Sequence, residues 1–162
     1  MSLTEIELRA PVAEDGHSVH QLVANCPPLD PNSLYCNLLQ AAHFSTTSVA
    51  ATLAGKLVGF VSGYRIPARP DTLFIWQVAV GDSARGQGLA TRMLRHILAR
   101  PDCAGVAYLE TTITADNGAS WALFGALAKQ LQAPLGESLM FDRERHFGGD
   151  HDSEMLVRIG PF

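Results

Sequence analysis

Leu73-Phe74-Ile75-Trp76-Gln77-Val78-Ala79-Val80, continued through Gly81-Asp82-Ser83-Ala84 into Arg85-Gly86-Gln87-Gly88-Leu89-Ala90, is the stretch that decides the fold. Its first half is aromatic and β-branched, which suits a pleated, packed surface and predicts a strand over 73–80. Beyond Gly88, residues Leu89, Met93, Leu94, Ile97 and Leu98 recur at helical spacing and predict an amphipathic helix to Arg100, closed by Pro101-Asp102. The glycines therefore sit where a strong strand meets a helix N-terminus. There they let successive backbone N–H groups turn toward one anion, and the helix dipole adds positive potential. A diphosphate suits such a place; a plain surface turn is the other reading of the tetrapeptide alone. The loop lacks the Lys and hydroxyl of GxxxxGK[ST] and the spacing of GxGxxG, which argues against a nucleoside triphosphate or a dinucleotide.

Working outward, a short strand is expected over 5–9, and Asp15 is placed to cap a helix to Asn25, stopped by Pro27-Pro28. A turn at Leu29-Asp30-Pro31-Asn32-Ser33 opens a second helix on which Leu34, Leu38 and Leu39 recur. Strands over 48–52 and 57–65 flank Ala54-Gly55-Lys56, a connection suited to a hairpin. Pro67, Pro70 and Asp71 mark a loop before the central strand. After the glycine loop come a strand over 106–112, a helix over 118–130 ended by Pro134, a loop around Phe147-Gly148-Gly149-Asp150-His151-Asp152, and a closing strand over 155–159. This order is an α/β (α+β) arrangement, a mixed sheet with flanking helices, in a single domain over 1–162.

The bulk properties narrow the function. With 47% hydrophobic and 17% charged residues the chain can bury a core without metal or disulfide staples. Cys26, Cys36 and Cys103 are odd in number and lack CxxC spacing, so free thiols are expected. A net charge of −4 disfavours a nucleic-acid backbone, so an anionic ligand must be held locally. No apolar run reaches membrane-spanning length. Met1 to Glu7 carries acidic residues where a secretory leader has a basic start, which leads to an expectation of a cytoplasmic location.

Val78-Ala79-Val80 followed by Arg85-x-x-Gly88-x-Ala90 resembles the acetyl-CoA signature, [QR]xxGx[GA], of the GCN5-related N-acetyltransferases. The similarity extends through Asn117-Gly118-Ala119-Ser120 and the helix after it. The resemblance implies that family's fold, with a mostly antiparallel central sheet, and acetyl-CoA as cosubstrate without a metal. It also implies that the backbone of Val78 and Val80 pairs with pantetheine, that the amides of Arg85, Gly86, Gln87, Gly88, Leu89 and Ala90 hold the pyrophosphate, and that Asn117 contacts the pantetheine arm. One departure stands out: the tyrosine that many members place seven residues after this asparagine is Phe124 here.

A narrower resemblance lies in Pro27 to Leu39, in Phe74 to Val80 and in His151 to Glu154. These segments are similar to the diaminobutyrate acetyltransferases of ectoine biosynthesis, implying a small amino-acid substrate acetylated at its γ-amino group, and a homodimer. From this resemblance Asp30, Tyr35, Cys36, Trp76, His151 and Glu154 are the expected substrate-site residues, with Val78, Glu110 and His151 as catalytic candidates. A substrate with two ammonium groups and one carboxylate needs acidic partners and donors, since an unpaired buried charge is costly. Asp30, Glu154 and Glu110 supply the first; Tyr35, His151 and Asn37 supply the second. Each has a plainer alternative. Asp30 serves as a turn cap, Trp76 as core, Cys36 as a small packing residue rather than an acetyl-carrying nucleophile, and Glu110 as an exposed strand residue. His146, Asp150, His151 and Asp152 match no metal-ligand spacing, and a solvated loop is the stronger reading of them.

Overall fold

The computed structural model describes residues 5–162; of the N-terminal stretch read for a leader, residues 1–4 lie outside the described residues. The strands are β1 (Ile6–Arg9), β2 (Val49–Leu53), β3 (Lys56–Ile66), β4 (Arg69–Val80), β5 (Tyr108–Thr114), β6 (Leu135–Phe141) and β7 (Glu154–Ile159). The helices are α1 (Gly16–Ala24), α2 (Leu34–His43), α3 (Leu89–Leu98) and α4 (Gly118–Gln130). The strands form one mixed sheet in the order β1-β2-β3-β4-β5-β7-β6, with β4 and β5 its parallel pair. A mixed sheet with flanking helices was the expectation, and the fold agrees.

The chain divides into two compact units, the first comprising residues 1–64 and 75–104 and the second 65–74 and 105–162. In the first, β1 and β3 pair antiparallel with β2 on either side, and Val19 and Val23 of α1 pack with Cys26, Phe60 and Ala79. In the second, β5 pairs antiparallel with β7, and β7 with β6, burying Leu109, Ile113, Val157 and Ile159.

Two local expectations are corrected, at Asp15 and Pro70, and two features are added, the Ser33 cap and strand β6. Asp15 does not cap α1 with its side chain; its carboxylate accepts from Arg9 at 2.7 and 2.8 Å and from the Val12 N–H at 2.8 Å. The ion pair with Arg9 outcompetes the cap and ties the end of β1 to the start of α1. Ser33 caps α2, accepting from the Cys36 N–H at 3.0 Å. Pro70 does not mark a loop, for β4 runs back to Arg69; at an exposed position a proline need not donate to the ladder. Finally, β6 is a full strand at the sheet edge, every residue of it exposed.

Candidate functional site

Along β4 the burial alternates: Ile75, Gln77 and Ala79 are buried, while Phe74, Trp76, Val78 and Val80 lie on the more open face. Trp76 is 42% exposed, so it is not core. Its indole meets the Tyr64 ring edge-on at 6.4 Å, and Tyr64 in turn lies against Phe44 at 5.5 Å. Beside it, the backbone N–H of Gln77 donates to the Ser62 hydroxyl at 3.1 Å. A side chain here takes a hydrogen bond that a ladder carbonyl ordinarily accepts.

The end of β4 leads into the glycine loop. Gly86 and Gly88 have φ of +73° and +75°, a left-handed conformation that β-carbon sterics disfavour in other residues. Gly88 is the N-cap of α3, and no side chain caps that helix. Its first N–H groups thus look for an external acceptor, an arrangement that fits a phosphate. The loop's own side chains turn inward. Arg85 Nε donates to the Val80 carbonyl at 3.1 Å while its guanidinium lies 2.9 Å from Asp82, and Gln87 Nε2 donates to the Ser83 carbonyl at 3.3 Å. Cys26 Sγ also donates to the Val80 carbonyl, at 3.4 Å. What the loop offers a ligand is therefore backbone.

In the same unit, Asp30 and Tyr35 are exposed and Cys36 is half-buried. Burial pushes the Cys36 thiol pKa up, which disfavours the thiolate a nucleophile needs. Asn37, expected as a donor, is fully buried; its Nδ2 donates to Gln40 at 2.9 Å, and its Oδ1 lies 3.0 Å from His20 Nδ1. Its amide joins α1 to α2 rather than facing a ligand.

The second unit holds the remaining candidates. Glu110 is neither exposed nor singly paired: it is 1% exposed, accepts from Arg69 at 2.6 and 3.0 Å, and accepts from Arg158, its cross-strand partner on β7. Arg158 also stacks over the Tyr108 ring at 3.8 Å. Burial raises the Glu110 pKa, but the guanidiniums of Arg69 and Arg158 more than reverse that and hold it below the ordinary carboxylate value. Such a group is a poor proton acceptor at neutral pH.

Glu154 opposes Thr114 in the same ladder, four residues along from the Glu110–Arg158 pair, or about 13 Å by strand rise. It is half-buried, with Oε1 4.0 Å from His151 Nε2. His151 Nδ1 lies 2.6 Å from the Asp152 carbonyl, an acceptor only, so Nδ1 carries the proton and in the neutral ring Nε2 carries the lone pair. Thus His151 and Glu154 come together, and Glu110 stands apart from both.

The loop that carries His151 was read as solvated; most of it is exposed, and its shape is set by its own turn chemistry. Asp142 Oδ2 accepts from the N–H groups of Glu144 and Arg145, and Arg143 N–H donates to Ser153 Oγ at 2.8 Å. Among the described residues no group of His, Cys, Asp and Glu could hold a metal. Asn117 caps α4, its Oδ1 accepting from the Ser120 N–H at 3.2 Å, and Phe124 is 3% exposed on the buried side of that helix.

A strand, a backbone-lined turn and an uncapped helix in this order are the elements by which one enzyme family grips its cofactor, and the acetyltransferase (GNAT) family model matches residues 16–128. The chain belongs to that family. More narrowly, it is 63% identical, over 99% of its length and 94% of the relative's, to the L-2,4-diaminobutyric acid acetyltransferase of Methylotuvimicrobium alcaliphilum. It is 52% identical to the enzyme of that name from Halomonas elongata, over 96% of this chain and 81% of the relative. Among solved structures it resembles the diaminobutyrate acetyltransferase EctA from Paenibacillus lautus, in complex with its substrate L-2,4-diaminobutyric acid and coenzyme A. The TM-score is 0.92 at 39% identity, over 97% of this chain and 95% of that one. No helix among the described residues is long and apolar enough to cross a membrane.

Proposed function

We propose that this chain transfers an acetyl group from acetyl-CoA to the γ-amino group of L-2,4-diaminobutyrate, as a step of ectoine biosynthesis. The observation that carries the reading is 63% identity to an enzyme of that name across nearly the whole chain. Similarity to a structure holding both diaminobutyrate and coenzyme A supports it. Residues 1–162 are taken as a single N-acetyltransferase domain.

The cosubstrate supplies an acyl group activated as a thioester. The amides of Gly86 to Ala90 would hold its pyrophosphate, with Arg85 shaping the loop through Val80. The backbone of Val78 and Val80 would align the pantetheine arm, and Asn117, its oxygen engaged at the cap, would donate from its amide nitrogen. The Val78 N–H is assigned to the oxyanion that forms at the carbonyl. For the acceptor, Trp76 packs the aliphatic stem while Asp30, Tyr35 and Cys36 line the other end of the amino acid.

Glu154 pairs with the ammonium to be acetylated. A primary amine has a pKa of about 10.4, and a carboxylate neighbour raises it, so a proton must be taken before attack. His151 Nε2, its lone pair fixed by the Nδ1 bond to Asp152, is the acceptor we assign, directly or through one water. Glu110 is left to hold Arg69 and Arg158. Direct transfer in a ternary complex is favoured over an acetyl-Cys36 route because burial keeps that thiol protonated. The hydroxyl absent at Phe124 does not favour a non-catalytic acyl-CoA sensor, since that position is core.

The reading extends to a cytoplasmic homodimer, the latter supported by the exposed apolar side chains Leu135, Leu139, Met140 and Phe141 on the edge strand β6. The test of function is an amine panel with acetyl-CoA: diaminobutyrate, its shorter homologue diaminopropionate, ornithine and lysine. Free-thiol release should be fastest with diaminobutyrate, and mass spectrometry should place the acetyl group on the γ nitrogen. No product, or product on the α nitrogen, would overturn the assignment.

A further inference from the structure

We propose that Phe147 is a positioning residue for His151, so that the imidazole that takes the proton is oriented by an aromatic ladder built from its own loop and from Phe141, the last residue of β6. The proposal rests on the reading of His151 as proton acceptor. The Phe147 ring lies against the His151 ring with centroids 4.5 Å apart and planes at 38°. Phe147 is itself held edge-on by Phe141 at 6.2 Å, and Phe141 by His146 at 5.6 Å, both at 73°. The far end of the ladder is anchored to backbone: the Asp142 N–H donates to His146 Nδ1 at 2.8 Å.

Two features make this an orienting device rather than incidental packing. The first is geometric. The hydrogen bond from Nδ1 to the Asp152 carbonyl sets the rotation of the ring about Cβ–Cγ but holds it at one edge. The Phe147 ring, packed on the imidazole at 38°, narrows the libration that a single edge contact allows. With it, Nε2 keeps one direction, toward Glu154.

The second is how the chain brings the two rings together. Gly148 and Gly149 have φ of +60° and +85°, doubling the backbone over so that residue 151 returns onto residue 147. The fold is held by N–H bonds from Gly148 to the Glu144 carbonyl at 3.2 Å and from Gly149 to the Arg143 carbonyl at 2.8 Å. Phe147 lies on a surface loop and is only half-buried, so burial alone gives it modest work to do.

The test compares Phe147→Leu with Phe147→Tyr in the full chain, each also in a His151→Ala background. Phe147→Leu should lower kcat for diaminobutyrate about five- to ten-fold, the scale of a lost aromatic pair. The KM for acetyl-CoA should not move, Phe147→Tyr should stay within about two-fold, and Phe147→Leu should add nothing once His151 is alanine. An equal loss in both backgrounds, or unchanged kcat in Phe147→Leu, would overturn the proposal. So would His151 ring-proton shifts in the wild-type NMR spectrum that show no neighbouring ring current, a measurement that needs no variant to fold. His151→Ala measured alone tests the underlying reading: full turnover there removes His151 as acceptor, whereas a loss there with an indifferent Phe147 removes only the ladder.

Discussion

On the function proposed above, the glycine loop at Arg85 to Ala90 and the loop from Asp142 to Ser153 would each help to hold a small charged group, and they are built by opposite means. The first ties its side chains back on itself and presents N–H groups; the second ties its backbone back on itself and presents side chains. A diphosphate is common to every reaction of its cofactor, so a grip made of backbone is enough. An amino acid must be distinguished from its homologues, which takes side chains held in one geometry.

That contrast can be broken from either side. The largest effect is expected where the side-chain loop meets β7: Glu154→Gln should cut kcat/KM for diaminobutyrate by about 10²-fold or more, with the KM for acetyl-CoA nearly unchanged. Steady-state kinetics with each substrate varied in turn checks this, and an equal rise in both KM values would count against separate grips.

A group that belongs to neither loop comes next. Glu110→Gln should lower stability at pH 7 by about 3 kcal/mol, because two guanidiniums lose their buried partner. The folded pKa of Glu110 is depressed, so its contribution is fully present above the unfolded value of about 4.3 and is lost as the pH falls through the folded value. Urea unfolding should find the gap between wild type and variant narrower at pH 3 than at pH 7. Residual turnover per folded molecule should survive, since the proposed mechanism gives the proton to His151 and not to Glu110.

The smallest effect belongs to the backbone grip. Gly88→Ala meets no neighbouring atom, so only the left-handed φ resists it, at about 1–2 kcal/mol. Acetyl-CoA should bind about ten-fold more weakly by calorimetry, while the order of preference among amines is kept.

Much of this was legible in the chain itself, and unevenly so. Leu73 to Ala90 announces strand, turn and helix because aromatic residues, glycines and a helical repeat are local signals. The edge strand β6 was not placed, for Leu-Gly-Glu-Ser-Leu-Met-Phe has no β-branched residue and no side of it is buried, so its strand character comes from pairing with β7. Glu110 looked exposed because its partners Arg69 and Arg158 lie 41 and 48 residues away in sequence. Asn37 misled in the same manner: a polar residue on a helix reads as solvent-facing until the partner helix places His20 against it. Residues 147–152 were recognised as a loop, but the aromatic ladder there has no periodicity that reading along the chain could reveal.

The bond from Arg143 N–H to Ser153 Oγ, with Arg143 and Asp152 paired at 3.1 Å, closes that loop at its two ends as a clasp closes a ring. A segment closed in this way has the character of a cassette. Twelve positions, 142–153, could be exchanged between related sheets as one insert, carrying a different side chain at residue 151 without renegotiating the strands on either side. For an enzyme engineer this makes the residue at 151 replaceable as one piece, and for evolution it offers a route to vary that position while leaving the glycine loop untouched.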